Sequence, residues 1–335
     1  MLRLLLVGIC FGLSFNTFAQ SQPFRIVATT TQAADLVAIL AAGAQDVSVV
    51  GLMGPGVDPH LYQPTESDIA AMNQADVVVY NGLHLEGQFG AVFRALSERS
   101  MVIIGLGEIA KEAGFIVEVE DEAGVDDPHF WFDPLNWALV TEALAERLAA
   151  RNPVNAAVYR QNAAAYVAQL ERLNEWALAA MQSIPEDQRI LLTSHDAFFY
   201  FATAFGWRVS AVQGISTEAE AGVGDIQAVV QQILSERIPV VFVESSVPPN
   251  TIRAVVEAVT VAGGRVQMGV RELYSDAMGD PESFGGTYIG MIAENVYTIL
   301  QSFACAGIDV MIPAWPEDLT PQPPDELFEV SCPTA

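Results

Sequence analysis

Positive charge is what this chain has least of. Its 335 residues hold 15 Lys and Arg against 41 Asp and Glu, Lys111 is the only lysine, and the formal net charge is −26. Phosphate backbones and anionic lipid surfaces require a basic footprint that scattered arginines do not supply, which excludes nucleic acid as a partner and favours cations. Cysteine is scarce too, at three residues, and histidine is limited to four. Charged residues make up 17% of the chain and hydrophobic ones 51%, a balance that excludes a disordered protein. At the usual ~100–200 residues per domain, about two packed domains are expected. No His-Glu-x-x-His segment, nucleophile elbow or phosphate-binding glycine loop occurs, so three common enzyme signatures are missing.

Residues 1–19 have the anatomy of a targeting segment. Arg3 supplies a positive start, residues 4–15 are almost wholly apolar, and Thr17-Phe18-Ala19 offers a small-residue cleavage site ahead of Gln20. The apolar stretch is shorter than the ~20 residues a bilayer crossing needs, and no later run reaches that length. The expectation is export, cleavage near Ala19 and a mature chain that acts in a periplasm without membrane insertion. Val7-Gly8-Ile9-Cys10 matches a lipoprotein site only loosely and falls inside the apolar run. Cys10 then leaves with the leader, and Cys305 and Cys332 remain as an even pair in an oxidising compartment. A disulfide between them pins the Pro-rich tail and contributes ~3–4 kcal/mol for a loop of that size. A redox or metal-binding thiol pair would need closer spacing.

Short β-branched runs alternate with Ala- and Leu-rich helical segments along the chain. Candidate buried strands fall at 25–28, 47–50, 77–80 and 101–104, and again at 190–193, 207–210, 239–243 and 265–268. Continuous apolar strands between helices indicate an α/β protein with parallel sheets covered on both faces. Between the two series, residues 153 to about 183 are nearly free of breakers, with Tyr159, Ala163, Tyr166, Leu170, Leu173 and Trp176 at helical spacing. One helix of ~30 residues would be ~45 Å long and could join two parallel-sheet lobes rigidly. The expected division is a leader at 1–19, an N-terminal lobe at 20–152, a connecting helix at 153–184, a C-terminal lobe at 185–306 and a tail at 307–335.

Three of the four histidines lie in rigid loops or at a strand end. His60 sits in Asp58-Pro59-His60-Leu61, His129 in Asp127-Pro128-His129-Phe130, and His195 in Thr193-Ser194-His195-Asp196 directly after a strand. Asp276, in Tyr274-Ser275-Asp276-Ala277, follows the last strand. Open α/β sheets place ligands beyond the carboxyl ends of their strands, which points these four side chains at one cleft between the lobes. Three imidazoles and a carboxylate make a four-ligand set suited to one borderline-soft divalent cation. Their protonation, near the ordinary imidazole value of about 6.5, is expected to release the metal in acid. Glu244 and Ser245 end the seventh strand and are candidates for orienting the imidazoles by hydrogen bonds. His84 reads as a residue of the cleft rim, and the acidic run at 118–127 as a solvated loop that can also steer cations.

At these loops the sequence resembles the substrate-binding receptors of bacterial ABC importers for zinc and manganese. The matching segments run in order along the chain: Ile26-Val27-Ala28-Thr29-Thr30, Asp58-Pro59-His60, Asn81-Gly82-Leu83, Pro128-His129, Ser194-His195-Asp196-Ala197-Phe198, Val243-Glu244-Ser245-Ser246 and Ser275-Asp276-Ala277-Met278-Gly279. The resemblance implies two parallel-sheet lobes joined by one long helix, a metal held between them by His60, His129, His195 and Asp276, and a membrane permease as partner. It also implies a binding protein, working as a monomer, rather than an enzyme. Zinc-dedicated members often carry a His-rich loop ahead of the second ligand, which this chain lacks. Manganese-dedicated members often carry Glu where His195 stands, and the third imidazole tilts the expectation toward zinc. The rival readings are an exported zinc-dependent hydrolase, which would need an open metal position and a nearby base, and an adhesin or passive metal buffer.

Overall fold

The computed structural model describes residues 22–119, 124–330 and 332. The leader expected at 1–19, its cleavage site and Cys10 lie outside the described residues, as do positions 120–123 of the acidic run. The N-terminal half alternates β1 (Phe24–Ala28), α1 (Thr31–Ala41), β2 (Val47–Gly51), α2 (Glu66–Asn73), β3 (Val77–Tyr80), α3 (Gly90–Glu98), β4 (Ile103–Gly105) and α4 (Leu106–Ala113). Its strands pair in parallel in the order β2-β1-β3-β4. Ile26, Val27 and Ala28 of β1 and the three valines of β3 are fully buried, as central strands covered by helices on both faces must be.

Two helices follow, α5 (Pro134–Arg151) and α6 (Ala156–Met181). The helix expected from residue 153 begins as a 3₁₀ turn, Pro153–Asn155, because Asn155 is bonded elsewhere: its side chain exchanges hydrogen bonds with the backbone of Gln45 at 2.8 and 2.9 Å. From Ala156 a single uninterrupted helix of 26 residues runs about 39 Å. The residues picked out by helical spacing, from Tyr159 to Trp176, form its buried stripe, and α6 packs against α1, α5 and α10.

The second half repeats the first: β5 (Ile190–His195), α7 (Phe199–Phe205), β6 (Arg208–Gln213), α8 (Val223–Glu236), β7 (Val240–Val241), α9 (Asn250–Val261), β8 (Gln267–Met268) and α10 (Tyr288–Cys305). β5 pairs with β6 and β7 with β8, all parallel, and the Phe242 N–H donates to the Leu192 carbonyl at 2.8 Å to join the two pairs. The resulting order, β6-β5-β7-β8, copies that of the first sheet. In each sheet the crossover direction reverses between the two central strands, which is where doubly wound folds open a ligand crevice.

The halves are not hinged on α6 alone. One apolar cluster runs from Leu36 and Leu40 of α1 through Trp137, Tyr159, Leu173 and Phe201 to Tyr288 and Ile292 of α10. Polar contacts reinforce it. The Met278 N–H donates to Thr31 Oγ1 at 2.9 Å, the Gln32 amide to the Ser275 carbonyl at 3.3 Å, and the Tyr288 N–H to Asp35 Oδ2 at 3.1 Å. The tail is packed as well. Cys305 is bonded to Cys332 with their Cα atoms 5.4 Å apart, Leu319 and Leu327 are buried, and Trp315 lies edge-on to Trp176 at 4.8 Å. No helix among the described residues is long and apolar enough to cross a membrane.

Candidate metal centre

Each expected ligand is fixed by its own local structure. Beyond β2, Gly56 takes a φ of +66°, which a side chain would disfavour, and the loop then returns through Pro59 to a capping box in which Thr65 and Asp68 start α2. His60 is held within this loop by Asp58, whose Oδ1 accepts the His60 N–H at 2.9 Å. His129 precedes a 3₁₀ turn of aromatics, Phe130–Phe132, and Asp133 then caps α5, with Pro134 as its first residue. His195 is the last residue of β5, at the crossover reversal of the second sheet. Asp276 follows β8 in a loop held on its own side by a Ser246–Ser275 hydroxyl contact of 2.8 Å and on the other by α1.

These four side chains meet. One nitrogen from each imidazole and an Asp276 oxygen lie within 4.8 Å of one another, and all four residues are buried. From the Asp276 oxygens to the three Nε2 atoms the distances are 3.3 Å for His129, 3.2 Å for His195 and 3.8 Å for His60. A tetrahedron with bonds of about 2.1 Å has edges of about 3.4 Å, so the carboxylate-to-imidazole distances are close to those a zinc-sized cation needs, while the set as a whole, spread over as much as 4.8 Å, is slightly more open. All three Nε2 atoms and both Asp276 oxygens are buried without a hydrogen-bond partner. Five orphaned polar atoms converging on one point would be costly if nothing joined them, and a divalent cation satisfies them together.

The far side of two of the rings is braced. Asp127 Oδ1 lies 2.9 Å from His129 Nδ1 and also accepts the His129 N–H at 2.9 Å. Glu244 accepts the His195 N–H at 2.9 Å, and its other oxygen is 2.5 Å from His195 Nδ1. A carboxylate on Nδ1 leaves Nε2 bare toward the metal and raises its basicity. Ser245 plays no comparable part: its hydroxyl has no hydrogen-bond partner and its N–H donates to the Leu273 carbonyl. Asp127 was not anticipated from the sequence. Its signal is the spacing, an Asp two residues ahead of the His across a proline, and the same signal precedes His60.

Burial and charge divide the imidazoles. Burial drives His60 down to about 3, with Asp276 pulling the other way and the two neighbouring imidazoles adding to the fall. Burial acts in the same sense on His129, but Asp127 and Asp276 outweigh it and hold that ring up at about 9. Glu244 and Asp276 likewise lift His195 well above the usual range against its burial. Asp276 is pushed up by burial yet kept well below the ordinary carboxylate range by His195 and His129. The facing carboxylates thus make His129 and His195 the imidazoles that most favour a proton beside Asp276 when no metal is bound.

Fold and site together define a class: a two-part α/β binding protein with a buried His₃-carboxylate site between two sheets of the same strand order. The chain belongs to the family described as zinc-uptake complex component A, periplasmic (ZnuA), which matches residues 26–302. It is 40% identical over 294 residues to the zinc-binding protein TroA of Treponema pallidum, covering 88% of this chain and 92% of that protein. Over 281 residues it is 38% identical to the manganese-binding lipoprotein MntA of Bacillus subtilis, covering 84% of this chain and 90% of that protein. The solved structure of the periplasmic zinc-binding TroA superposes with a TM-score of 0.79 at 39% identity, covering 84% of this chain and 99% of TroA.

Proposed function

We propose that this chain is the extracytoplasmic receptor of a bacterial metal ABC importer. It captures one divalent transition metal, zinc in preference to manganese, and delivers it to a membrane permease. His60, His129, His195 and Asp276 are its ligands, with Asp127 and Glu244 orienting two of the imidazoles. The observation that carries this reading is the convergence of three buried imidazoles and one carboxylate, one ligand atom from each within 4.8 Å of the others and all without a hydrogen-bond partner. Three imidazoles favour zinc, and the second free oxygen of Asp276 leaves room for the higher coordination that manganese takes. Four protein ligands leave no open position for a catalytic water, which weighs against a hydrolase.

The organisation proposed with this function is a leader at 1–19 cleaved near Ala19, lobes at 20–152 and 185–306, the connecting helix at 153–184 and the tail at 307–335. The mature protein works as a monomer in the periplasm. Metal-competition titration of the metal-stripped mature protein tests the reading. It is expected to bind close to one Zn²⁺ per chain, more tightly than Mn²⁺, and His195→Ala is expected to weaken zinc binding at least about 100-fold, since it removes one of four ligands and leaves Glu244 with no ring to hold. Absence of binding to both metals, or an unchanged affinity in His195→Ala, would overturn it.

A further inference from the structure

The segment that carries His129 is held from both halves of the molecule. Val117 and Asp127 face each other as an antiparallel pair, beside an isolated bridge between Glu118 and Asp126. The Asp127 N–H donates to the Val117 carbonyl at 2.9 Å, and the Val119 N–H to the Val125 carbonyl at 2.8 Å. Residues paired in this way ordinarily exchange two hydrogen bonds. Here the return bond is not direct. The Val117 N–H donates to the hydroxyl of Tyr200 at 3.0 Å, and that hydroxyl donates to the Asp127 carbonyl at 3.3 Å. A phenol from the second half is spliced into a strand pair of the first.

Tyr200 is buried and lies on α7, the helix that follows His195. One short stretch of chain thus supplies a candidate ligand and a hold on Asp127. The backbone of Asp127 is tied by its N–H to Val117 and by its carbonyl to Tyr200, while its Oδ1 meets both the Nδ1 and the N–H of His129. The next carbonyl, that of Pro128, accepts from the Asn81 amide of the first half at 3.0 Å. Across the site, the His129 and His195 rings lie 5.4 Å apart. A ligand set works only while its members keep their places to about 0.5 Å, so whatever fixes Asp127 relative to α7 also fixes the His129 ring relative to His195.

Resting on the receptor reading above, we propose that Tyr200 is a positioning residue of the metal centre: its hydroxyl sets Asp127, and Asp127 sets the His129 ring in register with His195. Both bonds of the hydroxyl go to backbone, so its effect reaches the metal through Asp127. With the hydroxyl gone, the Val117 N–H closes directly on the Asp127 carbonyl. That satisfies both groups but draws Asp127 from the place the phenol gives it, and the brace on Nδ1 loosens.

Tyr200→Phe deletes the hydroxyl and keeps the ring. Its zinc affinity, measured by competition titration of the full mature chain, is expected to fall about fivefold, as the loss of one neutral hydrogen bond implies. In an Asp127→Asn background the same change is expected to cost less than about twofold, because the relay is already cut. Tyr159→Phe deletes another buried hydroxyl, one that accepts from the Asn152 amide at 3.0 Å, and is expected to keep wild-type affinity. The readout specific to positioning is the NMR resonance of the His129 Nδ1 proton in the zinc-loaded protein. Tyr200→Phe is expected to shift it and speed its exchange with water, and Tyr159→Phe to leave it in place. Unchanged affinity in Tyr200→Phe would overturn the proposal. So would equal losses in the two backgrounds, which would mean a route other than Asp127, or an equal loss in Tyr159→Phe, which would mean general loosening. A wild-type protein that binds neither zinc nor manganese would instead overturn the receptor reading on which this role rests.

Discussion

Asp-Pro-His occurs twice in this chain, at 58–60 and at 127–129. In both copies the aspartate accepts the N–H of the histidine two residues on, at 2.9 Å. From there they diverge. Asp127 turns the same oxygen to the Nδ1 of its own imidazole, whereas the second oxygen of Asp58 accepts from Thr217 Oγ1 at 2.6 Å, across the cleft on the loop after β6. One tripeptide therefore builds a braced imidazole, fully buried and held up at about 9, and the other an unbraced imidazole, slightly more exposed and driven down to about 3. The shared backbone turn places a histidine, and the free side of the carboxylate decides whether that histidine's ring is braced or left unbraced.

Exchanging each carboxylate for its amide is the sharpest way to break this pairing. Asp127→Asn keeps an acceptor for the His129 N–H but loses the charge that orients Nδ1, so zinc affinity is expected to fall about 10–100-fold. Asp58→Asn keeps the same backbone bond and touches no ring, but its amide cannot accept from Thr217 as the carboxylate did, so affinity is expected to fall only about fivefold. Competition titration of the two variants side by side checks this, and equal losses would abolish the distinction.

Acidity separates the copies next. An imidazole raised to about 9 carries a proton at neutral pH, and metal binding must expel it, whereas His60 at about 3 is already neutral. Apparent zinc affinity is therefore expected to rise about tenfold per pH unit from pH 7 toward 9 and then flatten, with His195 adding to the slope. The metal-free protein runs the opposite way. A raised histidine stabilises the fold below its unfolded value of about 6.5 and loses that contribution as pH rises through about 9. Calorimetry in buffers of differing ionisation enthalpy measures the proton released per metal at pH 7, and a value near zero would remove His129 from the site.

The sheets and the four candidate ligands were legible because each leaves a mark on the local sequence. Parallel strands buried on both faces read as Val- and Ile-rich runs, and even the two-residue β7 and β8 fall inside expected segments. His60, His129, His195 and Asp276 stand at Pro-bounded loops or strand ends, where rigidity and location are both written locally. The rest depends on pairs of residues far apart in the chain. That Glu244 and not Ser245 meets His195 is fixed by the way β7 sits beside β5, and neither residue's neighbours reveal it. The release of metal expected near an ordinary imidazole value moves upward for His129 for the same reason, because the shift arises from Asp127 and Asp276 together with burial. The start of α6 at Ala156 rather than at Pro153 follows from Asn155 bonding to Gln45, a contact 110 residues distant in sequence.

The smallest effect belongs to the bond that distinguishes the first copy. Thr217→Val removes the hydroxyl that reaches Asp58 and leaves the shape of the loop nearly unchanged. The bond links the two halves across the cleft beside His60, so any separation of the halves at that point must break it. Its loss, worth about 1 kcal/mol, is expected to speed metal release about fivefold and lower affinity by the same factor, with uptake unaltered. Asp58 reinforces the contrast, because its carboxyl is raised by burial and held down chiefly by Thr217, so removal of the hydroxyl raises it further. Stopped-flow uptake and chelator-driven release on Thr217→Val separate the two roles. A change in uptake alone would mean that the 58–60 loop governs access and not retention.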